Sequence, residues 1–171
     1  MSDVTIRPSR ADDDAALDAI DRATRALGGS VAPAPRRLGT PFFEPDADHA
    51  DVLVAEAGGT VAGYVRIGPA TPVESNRHVL MVRGFAVDPA RHRHGIGRRL
   101  LDAAIEEARA RGARRLTLRV LATNAAARGL YEAAGFTVEG VLREEFWLDG
   151  RYVDDVLMAR DLTLAEPLGE R

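Results

Sequence analysis

The stretch RGFAVDPARHRHGIGRRLLDAAIEEARARG, from Arg83 to Gly112, decides the fold. Its first residues close an apolar segment that opens at His78 and reads as a strand to Val87, stopped by Asp88-Pro89. Its last half is a helix over Gly97–Arg111, with Leu100, Leu101, Ala104, Ile105 and Ala108 at helical spacing and Gly112 as the terminating glycine. Between them runs a basic loop that carries His92, His94, Gly95 and Gly97. A strand that turns so quickly into a helix leaves the first helical N–H groups without partners, at the positive end of the helix dipole. Glycines let an anion approach that backbone closely, and Arg91, Arg93, Arg98 and Arg99 surround the place. The pattern suits a phosphate or pyrophosphate. The dinucleotide fingerprint would need a third glycine where Leu100 stands. A Walker loop would need a lysine, and the chain has none. A pyrophosphate ligand of another kind is therefore expected.

Composition narrows the function classes. The 171 residues make one ordinary domain, with 46% hydrophobic and 29% charged residues, the balance of a soluble globular protein. A single domain over residues 1–164 is expected, with a loose tail over 165–171. The net charge of −3 argues against a general nucleic-acid binder. No apolar run approaches the roughly 18 residues of a membrane span, and MSDVTIRPSR lacks the apolar centre of a signal peptide. The absence of cysteine removes disulfides, a thiolate nucleophile and cysteine metal sites. It fits a cytoplasmic protein.

Working outward, VTIR (Val4–Arg7) alternates as a short strand. Ser9 is placed to cap a helix that runs to about Leu27 and stops at Gly28-Gly29, with Asp12 near its positive end. Ser30–Ala50 holds four prolines and little period, and reads as a loop with a short helix near its end. Strands follow at Asp51–Glu56 and Val61–Ile67, joined by a glycine turn at Gly58-Gly59. Past the helix Gly97–Arg111, RRLTLRV alternates, with Leu116, Leu118 and Val120 on one face. Asn124 or Thr123 caps a helix over Ala125–Ala134, ended by Gly135. FTVEGVLREEFWL and YVDDVLMARDL are two late strands joined at Asp149-Gly150, a favoured hairpin dipeptide. This order describes one mixed α/β sheet with helices packed on it.

VDPARHRHGIGRRLL (Val87–Leu101) resembles the acetyl-coenzyme A signature of the GNAT acetyltransferase superfamily. NAAARGLYEAAGF (Asn124–Phe136) is similar to that family's second signature, Asn-x-x-Ala-x-x-x-Tyr-x-x-x-Gly-Phe. The ending EGVLREEFWLDGRYVDDVLMAR (Glu139–Arg160) resembles the branch that includes bacterial amino-acid N-acetyltransferases and ribosomal-protein N-terminal acetyltransferases. The family's usual Arg or Gln falls on His92. The resemblance implies a GNAT fold: a single mixed, mostly antiparallel twisted sheet of about seven strands, splayed at the acetyl-CoA site, with helices on both faces. It also implies that the coenzyme diphosphate sits on backbone N–H groups of Arg93, His94, Gly95, Ile96, Gly97 and Arg98, beside His92. The pantetheine arm would lie along Phe85, Ala86 and Val87, and Asn124 would meet it.

The implied chemistry is direct attack of an amine on acetyl-CoA in a ternary complex. Tyr131 matches the family tyrosine that donates a proton to the coenzyme sulfur, and shares a helix face with Asn124 two turns earlier. A backbone N–H near Val87 is the expected oxyanion donor. For the base, His78 is the first candidate, at a position resembling a histidine of the amino-acid acetyltransferase branch. Glu144 and Glu145 are alternatives. His92 and His94 could bind a metal only with a third ligand from elsewhere, and no pattern provides one, so no metal is expected. Trp147, Tyr152 and Asp154 fall on the terminal hairpin, which borders either the acceptor pocket or a homodimer contact. Tyr64 and Arg83 lie on central strands. If Arg83 faces the cleft, it favours an acceptor bearing a carboxylate. The expected acceptor is a small-molecule amine, an amino acid among them. A protein N-terminal amine, a catalytically weak acyl-CoA sensor and a nucleotide-binding regulatory domain are the alternatives.

Overall fold

The computed structural model describes residues 4–27, 41–43 and 48–163. Strand β1 (Val4–Pro8) leads into helix α1 (Asp14–Ala26). Then come β2 (Val52–Ala57), β3 (Thr60–Pro69), β4 (Val79–Val87), α2 (Ile96–Ala110), β5 (Arg115–Leu121), α3 (Ala125–Ala133), β6 (Thr137–Leu148) and β7 (Arg151–Asp161). The strands form one seven-stranded sheet in the order β1-β2-β3-β4-β5-β7-β6. Every neighbouring pair is antiparallel except β4 with β5.

The local signals act where the sequence places them. Gly58 and Gly59 take φ of 61° and 76° in the β2–β3 turn, and Asp149 and Gly150 take 50° and 77° in the β6–β7 turn. Both central residues are left-handed, as a tight hairpin between twisted strands requires. Gly112, at φ 77°, and Gly135, at 83°, follow α2 and α3 as terminating glycines.

Ser9 is the exception. It does not cap a helix: its hydroxyl donates to His49 O at 2.9 Å and its N–H to Val52 O at 2.8 Å, extending the edge of β1. One 3-10 turn, Ala11–Asp13, precedes α1, and Asp13 caps it by accepting Arg10 N–H at 2.7 Å. The 30–50 segment read as a loop is described only in part. Within it, a 3-10 turn spans His49–Asp51, and Phe42 and Phe43 are buried. The Gly28-Gly29 stop and the tail after Leu164 lie outside the described residues.

β2 shows how the sheet is covered on both sides. Leu53, Ala55 and Ala57 enter a core with α2 and α3, while Val52 and Val54 enter a second core with Leu17 and Ile20 of α1. All but one of its residues are buried, as expected of a strand sandwiched between layers. α2 supplies Leu100, Leu101, Ala104, Ile105 and Ala108 to the first core, each at most 1% exposed. Burial of each such leucine contributes about 1.5–3 kcal/mol.

The feature that makes the site is a fault in this sheet. β4 and β5 pair only at Val79↔Arg115, Leu80↔Leu116 and Met81↔Thr117. Beyond Met81, β4 continues on β3 and β5 continues on β7, so the two strands part. A bulge coincides with the parting: Ile67 faces Val82 and Arg66 faces Gly84, so Arg83 is the extra residue. It reverses the strand's parity. Leu80 and Val82 before it, and Phe85 and Val87 after it, pack on the α2/α3 core, and Ala86 joins the α1 core.

Candidate active site

The parted strands open a cleft of about 900 Å3 that passes through the sheet. On the α2/α3 side it is walled by Ile96, Gly97, Leu130 and Tyr131, and on the α1 side by Asp21, Thr24, Arg25 and Tyr64. Two molecules can thus meet in it from opposite faces.

The backbone of β4 lines this gap with polar groups. Asp88 N–H donates to Ala62 O on β3, at 2.9 Å. By the alternation of an antiparallel ladder, Ala86 and Gly84 also turn their peptide groups to β3, whereas Phe85 and Val87 turn theirs into the gap. The carbonyl of Val87 is met there by His92 Nε2 at 3.0 Å. Among the described residues, the N–H and C=O of Phe85 and the N–H of Val87 have no strand opposite them.

The loop at the mouth is built by its own histidines. A carbonyl oxygen only accepts, so His92 carries its proton on Nε2 toward Val87 O. His94 likewise donates from Nδ1 to His92 O at 2.8 Å and approaches Arg91 O at 3.2 Å. Arg93 and Gly95 both adopt left-handed φ, 66° and 75°. Among the described residues, no acceptor takes the N–H groups from Arg93 to Arg98. They form a concave run of donors ending at the N-terminus of α2, a ready site for an anion.

Gly95 and Gly97 do different work. A Cβ on Gly95 would touch nothing within 4 Å, so its glycine answers to φ alone. A Cβ on Gly97 would lie 3.3 Å from Leu130 Cδ2 and 3.4 Å from Phe85 Cζ, so this glycine lets α2 close on α3 and β4. Of the four arginines around the turn, Arg91 is tied to Ala57 O and Thr60, and Arg98 to Asp102 and Ala133 O. Arg93 and Arg99 have no side-chain partner among the described residues.

Tyr131 projects from α3 into the wall, 6% exposed, with its ring centroid 6.0 Å from that of Phe85. No described residue bonds its hydroxyl. Burial pushes its phenol up to about 12. Asn124 caps α3, accepting Ala127 N–H on Oδ1 at 3.1 Å, which leaves its amide N–H groups for the cleft that it lines. On the opposite side Tyr64 donates to Asp21 at 2.8 Å, and Asp21 also takes Arg25 at 2.7 Å. Burial and then the Asp21 charge hold the Tyr64 phenol above its usual range.

Residues 19–136, which span the parted strands, the donor loop and Tyr131, match the profile of the Acetyltransferase (GNAT) family. The chain belongs to this family. It is 43% identical over 82 residues to the ribosomal protein bS18–alanine N-acetyltransferase of Escherichia coli, a match covering 47% of this chain and 54% of that protein. The chain thus spans about half the length of that relative. It is 34% identical over 112 residues to the L-methionine sulfoximine/L-methionine sulfone acetyltransferase of Pseudomonas paraeruginosa, covering 65% and 64% of the two chains. Among solved structures, that of YncA from Salmonella typhimurium with its cofactor acetyl-CoA superposes with a TM-score of 0.80 at 27% identity, covering 98% and 99%.

Within this GNAT fold the other sequence candidates separate. His78 is exposed and stands before β4 at its closed end, where its carbonyl takes Arg114 and Arg115 N–H; it does not line the cleft. Glu144 sits at φ 52° in a bulge of β6, and its N–H donates to the Asp154 carboxylate on β7 at 2.8 Å, so Asp154 ties down that bulge. Glu145 reaches Arg119 at 3.5 Å. Trp147 and Tyr152 pack edge-to-face at 4.7 Å, both exposed and outside the cleft. Arg83 and Tyr64 do line it. Among the described residues no group of three or more potential metal ligands occurs.

Sequence reasoning missed Asp21, Arg25, Arg119, Phe146 and Asp155, all in the cleft wall. Asp155 had a signal. In YVDDVLMAR two acids interrupt an apolar strand, and one of them must face inward.

Proposed function

We propose that this chain is an N-acetyltransferase that moves the acetyl group of acetyl-CoA to the primary amine of a small molecule, an amino acid foremost, by direct attack in a ternary complex. The observation that carries this reading is the cleft through the sheet, with the donor loop at one mouth and a mixed-charge wall on the opposite face. Acetyl-CoA supplies an acetyl group activated as a thioester. The backbone N–H groups of Arg93–Arg98 would hold its pyrophosphate, and the open edge of Phe85–Val87 would pair with its amide arm. Ala86 flanks that edge from the α1 core, and His92 acts by holding Val87 and the loop in place. Asn124 offers its amide from the far wall. Val87 N–H is aimed to stabilise charge on the reacting carbonyl oxygen. Tyr131 keeps its proton at neutral pH and donates it to the departing sulfur.

On the acceptor side Arg83 makes no ion pair among the described residues, which supports an acceptor that brings its own carboxylate. The resemblance to an acetyltransferase of methionine derivatives supports the same class. A protein N-terminal amine is the second reading, favoured by the 43% identity to the ribosomal-protein enzyme. A cytoplasmic setting is supported by the lack of cysteine, and among the described residues no helix is long and apolar enough to cross a membrane. A homodimer is supported by the exposed Val138, Val141, Leu142 and Trp147 of edge strand β6.

A panel of the common L-amino acids, L-methionine sulfone and a peptide with N-terminal alanine tests the reading, with acetyl-CoA as donor and thiol release and product mass as readouts. Acetylation of a free amino acid is expected. Turnover of the peptide alone would favour the second reading. Acetyl-CoA binding without any turnover would make the chain a sensor.

A further inference from the structure

One buried acid in the cleft wall is only half occupied. Asp155 is 1% exposed, and its Oδ2 accepts from Arg119 Nε. No donor among the described residues reaches its other oxygen, and the residue is part of the cleft surface. A carboxylate oxygen that carries no donor and belongs to the cleft surface is open to accept one from a bound molecule.

The direction it faces follows from strand alternation. On β7, Val156 and Met158 enter the α2/α3 core, so Asp155 faces the α1 side. On β5, Leu116, Leu118 and Val120 enter the same core, so Arg119 and Leu121 share the face of Asp155. This is the side opposite the donor loop and Tyr131.

Charge there is unevenly balanced. Arg119 serves two carboxylates, Asp155 and Glu145, which leaves a net negative charge. Arg25 is already paired with Asp21. Arg83 is the cation in this wall with no partner among the described residues. The wall thus offers a carboxylate oxygen at one place and a guanidinium at another.

We propose that the open oxygen of Asp155 receives the ammonium group of the acceptor, with Arg119 as the positioning residue that holds the carboxylate toward the cleft. This rests on the acetyltransferase reading and assigns the amine end of its acceptor. An ammonium carries three N–H donors, and a carboxylate is acceptor only, so the two complement each other without a further group.

Asp155→Asn tests it, because the amide keeps the shape and still offers Arg119 an oxygen while it removes the charge. The substrate is the best acceptor of the panel above. The KM for that acceptor is expected to rise at least tenfold, with the Kd for acetyl-CoA within twofold of wild type. The deamino analogue of the same acceptor should inhibit both proteins with Ki values within twofold, since it lacks the group that Asp155 binds. A KM within twofold of wild type overturns the proposal, and so does an equal weakening of the deamino analogue, which would mark general damage to the pocket. Should Asp155→Asn fail to fold, Asp155→Ser removes the same charge in a smaller volume and is held to the same outcomes. Turnover by wild type with an unmoved KM in the variant sinks only the role of Asp155. A wild-type protein that releases no thiol with any acceptor sinks the acetyltransferase reading as well.

Discussion

Tyr131 owes its chemical state to burial rather than to a partner. Among the described residues nothing charged touches its hydroxyl, and burial raises the phenol to about 12. Since burial disfavours the phenolate, the group stays protonated through the whole neutral range and remains a competent donor. Tyr131→Phe keeps the ring against Phe85 and Phe136 and removes only that donor. It is expected to lower kcat by about 10²–10⁴-fold, the usual worth of a positioned acid, with acetyl-CoA affinity little changed. In wild type, the alkaline fall of kcat/KM that belongs to Tyr131 is expected near pH 12 rather than near the usual value of about 10. Stopped-flow thiol release against pH, on both proteins, checks both statements.

At the scale of elements, the decisive relation is between β4 and the loop that follows it. His92 ties the loop back onto the Val87 carbonyl at 3.0 Å, and His94 ties the loop to itself. His92 is exposed, so His92→Ala should leave the thermal midpoint near wild type. Loss of one hydrogen bond, worth about 1 kcal/mol, would loosen the donor run and raise the acetyl-CoA Kd about fivefold. Isothermal calorimetry measures it, and an unchanged Kd would free the loop geometry from His92. The loop, the glycines and both helices around it were legible in the sequence, because turn chemistry and helical period are local. The parity of β4 was not. The bulge at Arg83 arises from how Arg66 and Ile67 pair across the sheet, a non-local choice. His78 was misplaced for a related reason: a strand's sequence gives its length, but which end parts from its neighbour is settled by β5. Asp155 was visible only as an acid in an apolar run, and its meaning depends on Arg119, contributed by a strand some 36 residues earlier.

For the whole molecule, the two cores on either face of the sheet must be held in register if the cleft between β4 and β5 is to keep its width. At the β1 side that task falls to one ionic cluster. Arg7 donates to Asp13 at 2.8 and 2.9 Å and to Glu56 at 3.0 Å, joining β1, the start of α1 and β2. Asp13 is 7% exposed, and the Arg7 hydrogen bonds hold its carboxyl below the ordinary carboxylate range. A carboxyl with a depressed folded value stabilises the fold fully above its unfolded value of about 3.9, and that stabilisation is lost as pH falls through the folded value. Thermal stability of wild type is therefore expected to decline from about pH 4 downward. Asp13→Asn removes the charged partner, leaves Arg7 short of an anion and should cost about 2 kcal/mol at neutral pH. For a domain of this size that is a fall of roughly 5 °C in Tm. Its decisive signature is the pH dependence: the gap in Tm between wild type and variant should begin to narrow below about pH 4, the unfolded value, and keep narrowing toward the lower folded value at which the wild-type carboxyl takes up its proton. Differential scanning calorimetry from pH 7 to pH 3 reads it directly. A gap that stays constant across that interval would show that Asp13 contributes through shape alone.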